Sequence, residues 1–164
     1  MGPHMTIAIT KPFTMPASNA ATRRADYTVD CGGAQVRAHW RHLATVVTIR
    51  GEIDAVNADQ VGEHVRRFVL GTDPVVLDMS GVSYFGPAGI SLLHTVDEEC
   101  RAAAVEWTLV PSPAMVELLG EGGAEHDGGA IFPIARSTHA ALRGRADAIA
   151  DRRQLVLSLI RTTN

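Results

Sequence analysis

The sequence predicts an α/β fold: a mixed sheet of four or five strands with helices mainly on one face. Three observations carry this reading. After an opening pair of strand-like stretches, short apolar runs alternate with helix-period segments, the pattern of a largely parallel sheet. Apolar residues make up 46% but aromatics only 5%, so the core has to be built from Val, Leu, Ile and Ala. The length of 164 residues suits one domain.

Order is expected from Ala34. Val36, Ala38 and Trp40 alternate with Gln35, Arg37 and His39, as in a half-buried strand. Val46 to Ile49 is β-branched throughout and predicts a second strand, joined to the first as an antiparallel hairpin through His42. Gly51-Glu52-Ile53-Asp54 reads as the strand exit. Asn57 with Gln60 three residues on is a capping box, and Val61, Val65, Phe68 and Val69 make one helical face. Gly71 and Pro74 end that helix, and Val75 to Met79 reads as a central strand covered on both sides. Pro87 opens the second helix, with Gly89, Leu92, Leu93, Val96, Cys100 and Ala103 inward. A strand over Trp107–Val110, a short helix over Pro113–Leu119, a Gly-rich loop over Gly120–Gly129 and a short strand over Ile131–Ile134 follow. Ser137 caps a long last helix running through Leu142, Ala146, Ile149 and Val156.

Before Ala34 the chain offers little to pack. Met1 to Met5 reads as a cloning remnant, with Met5 the expected native start, and residues 6–33 as a mobile tail. The tail lacks the continuous apolar region of a signal peptide, which places the protein in the cytoplasm, and no run approaches the roughly 20 apolar residues of a membrane span. The net charge of −3 excludes a binder of nucleic acid by bulk electrostatics. Its positive side is 14 Arg and one Lys; Lys11 follows Ile9-Thr10, so no P-loop is present. Cys31 and Cys100 form no CxxC, and the seven His are scattered without a metal-ligand spacing, so no metal and no cofactor is expected.

The stretch Val75-Val76-Leu77-Asp78-Met79-Ser80-Gly81-Val82-Ser83-Tyr84-Phe85-Gly86-Pro87-Ala88-Gly89-Ile90 is the most informative part of the chain. Together with Gly51-Glu52-Ile53-Asp54 upstream and Val110-Pro111-Ser112-Pro113 downstream, it resembles the STAS family, named for sulfate transporters and anti-sigma factor antagonists. The resemblance covers residues 34–145, leaving 146–164 as a helical extension. In that family a strand ending Asp-Leu-Ser leads through a loop to a helix opening Asp-Ser-Ser/Ala-Gly. The resemblance implies a non-enzymatic protein, an anti-sigma factor antagonist; the Arg bias points to a GC-rich bacterium, and the two lone Cys fit a reducing cytosol. Such a protein binds a kinase-like anti-sigma factor and frees a sigma factor for transcription. A nucleotide- or small-ligand-sensing module and an adaptor in a stress-signalling complex are the rival readings.

Regulated members carry a phosphorylatable Ser just before the helix Gly. A phosphate adds roughly −1.5 to −2 charges, enough to disrupt a packed interface. Here that position is Ala88, preceded by Pro87, and the loop Asp is Gly86. Ala has no oxygen to phosphorylate, so the usual switch is missing while the helix-start geometry is kept. The expected partner surface is Asp54, Ser83, Gly86, Pro87, Ala88, Gly89 and Ser91. Thr6, Thr10 and Thr14 in the tail are the candidate replacement sites for a Ser/Thr kinase. Asp54 and Asp78 invite an acid/base reading, but no nucleophile or His is placed beside them. The C-terminal residues 135–164 hold six Arg and two Asp, a net +4, so the rest of the chain is −7. Their apolar run Leu155 to Ile160 is expected to pack on the domain's own flank or on a second copy, as a homodimer.

Overall fold

The computed structural model describes residues 26–123 and 132–161. Its elements are β1 (Tyr27–Asp30), β2 (Ala34–Trp40), β3 (Thr45–Ile53), α1 (Ala58–Val69), β4 (Val75–Phe85), α2 (Pro87–Ala102), β5 (Trp107–Val110), α3 (Pro113–Gly123) and α4 (Thr138–Arg161). The five strands lie in the sheet in chain order. β1–β2 and β2–β3 are antiparallel, while β3–β4 and β4–β5 are parallel and joined by α1 and α2.

Alternation along each strand sorts side chains to two faces. Val36 and Ala38 of β2, Val47 and Ile49 of β3, Leu77 and Met79 of β4 and Leu109 of β5 form one core with Val61 and Val65 of α1, Leu93 and Val96 of α2 and Met115 of α3. Val46, Val76 and Val110 point the other way and pack with Ala44, Ala135 and, at the start of α4, Ala141 and Leu142. Three helices thus cover one face, and α4 covers one end of the other. Gln35, Arg37 and Arg50 on that second face are exposed or line a shallow polar recess.

The structure departs from the sequence reading in six places. Ala103, expected on the inward face of the second helix, is exposed at the C-cap of α2, because the helix ends at Ala102 before reaching it. A strand precedes Ala34: β1 pairs Tyr27–Asp30 with Gln35–Ala38. Four residues with only Tyr27 and Val29 facing inward give no sequence period. They are held by tertiary contacts, the Tyr27 ring edge-on to Phe68 at 5.4 Å and its hydroxyl 2.6 Å from His64 Nδ1. Residues Ser80–Phe85, expected as a loop, continue β4 to eleven residues. Ser and Gly there read as turn chemistry, but two register shifts against β3 absorb the extra length. The capping box at Asn57 does not form: Asn57 precedes α1 but makes no side-chain cap bond. α3 runs to Gly123, into the stretch expected as a Gly-rich loop; the rest of that loop lies outside the described residues. The expected strand at Ile131–Ile134 reduces to a single parallel bridge, Leu109 to Ile134.

Gly51 is the pivot of the β2–β3 corner. Its φ is +103°, and a Cβ there would lie 2.2 Å from the Gly33 carbonyl oxygen, which accepts the Glu52 N–H at 2.9 Å. Only glycine allows that approach.

Candidate functional site

The last rungs of the β3–β4 ladder build the site. Ile53 pairs with Phe85, and the Gly86 N–H donates to the Ile53 carbonyl at 2.9 Å. The ladder therefore delivers two chain exits side by side: the turn Asp54–Asn57 after β3, and Gly86–Pro87 at the start of α2.

The first exit is locked by side chains. Asp54 Oδ1 accepts from the Val56 and Asn57 N–H groups at 2.8 and 3.2 Å. Buried Asn57 returns the favour: its Oδ1 accepts from the Asp54 N–H at 3.0 Å. Its Nδ2 donates to the Glu52 and Gly32 carbonyls at 2.8 and 3.2 Å. Engaged with these three partners, the Asn57 amide makes no helix-cap bond.

At the second exit, Gly86 is extended (φ −85°, ψ 175°), Pro87 takes the first helical position, and the Gly89 N–H donates to the Gly86 carbonyl at 2.9 Å. A Cβ on Gly89 would fall 2.4–2.8 Å from three atoms of the Phe85 ring, so glycine is what lets α2 start this close to the strand end.

Around this frame the expected residues separate. Pro87 and Ser91 are exposed, Ala88 is half-buried, and Gly86 and Gly89 are buried supports. Ser83 is exposed on β4, and its hydroxyl donates to the Gly51 carbonyl at 3.2 Å. Asp54 is partly buried in its turn. Asp78 does not join Asp54. It sits opposite Thr48, six residues before Asp54, so about 20 Å along the sheet separates them. Its carboxylate is committed elsewhere, Oδ1 to the Ser80 N–H and hydroxyl, Oδ2 to the Thr138 hydroxyl of α4 at 2.9 Å. The acid/base pairing of Asp54 with Asp78 is therefore excluded by distance.

Two apolar residues that the sequence reading passed over complete the surface. Val56 is 90% exposed at the tip of the Asp54–Asn57 turn, and Tyr84 is 52% exposed beside Gly86. Each had a signal: a Val inside a polar turn, and a Tyr one residue out of phase with buried Phe85. Behind them a groove of about 370 Å³ runs between α1 and α2, lined by Asp59, Gly62, Glu63, Ala88, Ser91 and Thr95 among others. Glu99 lies along it and is paired with Arg66 at 3.2 Å. With one Arg against Asp59, Glu63 and Glu99, the groove is acidic.

Among the described residues no group of three or more His, Cys, Asp or Glu could hold a metal, and no helix is long and apolar enough to cross a membrane. Cys100 is buried on the inward face of α2, where desolvation, with help from Asp97 and Glu99, pushes its thiol up to about 11. Cys31 is buried as well, its thiol pushed up by burial and by Asp30. Thr6, Thr10 and Thr14 lie outside the described residues.

The family model for the STAS domain matches residues 35–141. The chain belongs to the STAS family. Osmosensory protein A of Mycobacterium tuberculosis is 58% identical over 151 residues, 92% of this chain and 96% of that protein. Anti-sigma-F factor antagonist RsfA of the same species is 27% identical over 133 residues, 79% of this chain and 91% of that one. The crystal structure of an anti-sigma factor antagonist from Mycobacterium paratuberculosis superposes with a TM-score of 0.58 at 22% identity, covering 75% of this chain and 96% of that one. The anti-sigma factor antagonist SpoIIAA in its unphosphorylated form gives 0.53 at 19% identity, with 68% and 96% covered. These two show the shared STAS fold. The matched residues run from β2 to the start of α4.

Proposed function

We propose that this STAS protein is an anti-sigma factor antagonist, acting by binding and not by catalysis. The observation that carries the reading is the rigid, exposed surface at the start of α2. Val56, Tyr84, Pro87 and Ala88 stand on a hydrogen-bonded frame beside an acidic groove, with no nucleophile or base among them. A preformed patch with apolar anchors suits a protein partner, because little ordering entropy is lost on docking. The relatives named as anti-sigma factor antagonists support the class of partner. The osmosensory relative supports a stress input, in which this chain works in the cytoplasm and controls sigma-dependent transcription.

Ala88 occupies the position of the usual acceptor, so phosphorylation there cannot release the partner. Control passes to the tail, where a Ser/Thr kinase modifies Thr6, Thr10 or Thr14. The test has two arms. Purified anti-sigma factors of the source bacterium are titrated by biolayer interferometry against the wild type, Tyr84→Ser and Ala88→Glu. Binding that Ala88→Glu weakens at least 30-fold, with the melting midpoint kept, supports the reading; micromolar or tighter binding by none of the anti-sigma factors refutes it. Incubation with cytosolic Ser/Thr kinases and peptide mapping tests the tail: label confined to core peptides, or none, refutes the regulatory part. A saturable melting shift with a nucleotide favours ligand sensing instead.

A further inference from the structure

The groove between α1 and α2 carries charge that its own walls do not neutralise. Glu99 on α2 pairs with Arg66 across it. Asp59 and Glu63 on α1 are exposed, and among the described residues neither side chain has an ion pair or hydrogen bond. They are four residues apart on one helix, so their carboxylates stand one above the other and repel. A single cation placed between them meets both. The floor beneath is apolar, with Ala58, Ala88, Leu92 and Val96. Gly62 lets the two helices close up there, since a Cβ on it would stand 3.1 Å from Leu92 Cδ1.

The first part of the chain has the opposite charge. Residues 6–25 hold Lys11, Arg23 and Arg24 and no Asp or Glu, a net +3 in a chain of −3. Ile9 and Phe13 flank Lys11 two residues to either side. This segment joins the fold beside α1. Asp26 is followed by Tyr27, whose ring is edge-on to Phe68 at 5.4 Å and whose hydroxyl is 2.6 Å from His64 Nδ1. α1 is about 10–12 Å across, and its groove-lining stretch from Ala58 to Arg66 is about 12 Å long. Lys11 lies fifteen residues before Asp26, a reach of up to about 50 Å when extended. Lys11 can therefore cross α1 and meet any point of the groove. Arg23 and Arg24, within about 10 Å of Asp26, reach only the near flank of α1.

We propose that residues 6–15 dock in the α1–α2 groove of their own chain. The Lys11 ammonium enters between Asp59 and Glu63, and Ile9 and Phe13 lie on the apolar floor. The chain's own segment is favoured over an outside partner because charge and length both match and the tether keeps it near. Tethering holds it at a millimolar effective concentration, so a contact of only about 0.1 mM intrinsic strength fills the groove roughly ten to one. The docked segment covers Ala88 and Ser91, which line the groove and also belong to the proposed partner surface. That consequence rests on the antagonist reading: the segment and the anti-sigma factor then compete, and the free protein is held partly closed.

Paramagnetic relaxation in the full chain tests this. A nitroxide is placed on Thr14→Cys; Cys31 and Cys100 are buried and take no label. The amide signals of Gly62, Ser91 and Thr95 should fall below half of their diamagnetic intensity. Lys11→Glu should restore them, and Lys11→Glu combined with Asp59→Lys/Glu63→Lys should weaken them again. A mixture of nitroxide-labelled and isotope-labelled chains, in which only contacts between copies register, should show no loss. Undiminished groove signals, loss spread evenly over the surface, loss indifferent to the charge changes, or loss in the mixed sample overturns the proposal. Releasing the segment with Lys11→Glu should also tighten binding of the anti-sigma factor up to about tenfold. The two readings fail separately. Without an anti-sigma factor that binds, the groove signals are still attenuated; without docking, Lys11→Glu leaves the binding of that factor unchanged.

Discussion

Replacing Gly89 by Ala sets two effects of opposite sign against each other. In a helix, Gly→Ala ordinarily stabilises by about 0.5–1 kcal/mol, because Gly has more backbone freedom to lose. Here the new methyl would sit 2.4, 2.6 and 2.8 Å from three carbons of the Phe85 ring. Phe85 is 6% exposed and belongs to the main core, so its ring cannot swing into solvent without leaving a hole. Such overpacking costs about 1–3 kcal/mol. The steric cost wins, and the net loss is about 1–2 kcal/mol. With a urea slope near 2 kcal/mol per M, the unfolding midpoint falls by about 0.5–1 M. Gly120→Ala at an exposed position of α3, where a Cβ meets nothing within 4 Å, isolates the propensity gain and should hold or raise the midpoint. A midpoint for Gly89→Ala at or above that of the wild type would refute the argument that the α2 start is fixed by contact between Gly89 and Phe85.

Three further outcomes are expected. Gly51→Ala forces a side chain at φ +103° into the Gly33 carbonyl and should cost about 3 kcal/mol, read as a drop of roughly 6–12 °C in Tm. Asn57→Ala leaves the Glu52 and Gly32 carbonyls and the Asp54 N–H without their partner. It should lose about 2–3 kcal/mol in urea unfolding, with Asn57→Asp, which keeps only the acceptor, also destabilised. Cys100 is held protonated in the fold, its thiol at about 11 against an ordinary 9.0. Its contribution to stability is complete below pH 9 and is lost as pH rises from 9 toward 11, because the unfolded chain ionises first. Unfolding midpoints should therefore fall over that range, and a Cys100→Ala variant should show a smaller fall.

Much of the architecture was legible because it rests on local chemistry. The β-branched run Val46–Ile49, the apolar Val75–Met79 and the inward residues Leu92, Leu93, Val96 and Cys100 of α2 announce their elements by period alone. Pro87 and Gly89 marked the helix start through backbone demands that hold wherever the chain sits. The site was legible in its frame and not in its surface. Val56 and Tyr84 are exposed because of where two strand ends happen to meet, and exposure is a property of the assembled sheet. Asn57 looked like a cap, since Asn usually caps, until carbonyls from Gly32 and Glu52 arrived to claim its amide.

The sequence by itself determined the α/β class and the order of the central elements, both of which follow from residue type and spacing. The tertiary structure decided what depends on distant partners. It added β1, whose four residues are ordered by Phe68, His64 and a neighbouring strand. It lengthened β4 through Ser80–Phe85, where the β3 ladder overrides turn propensity. It also set Asp54 and Asp78 apart by the strand register. Period and propensity see only a few residues at a time, whereas pairing, burial and exposure are fixed by contacts tens of residues away.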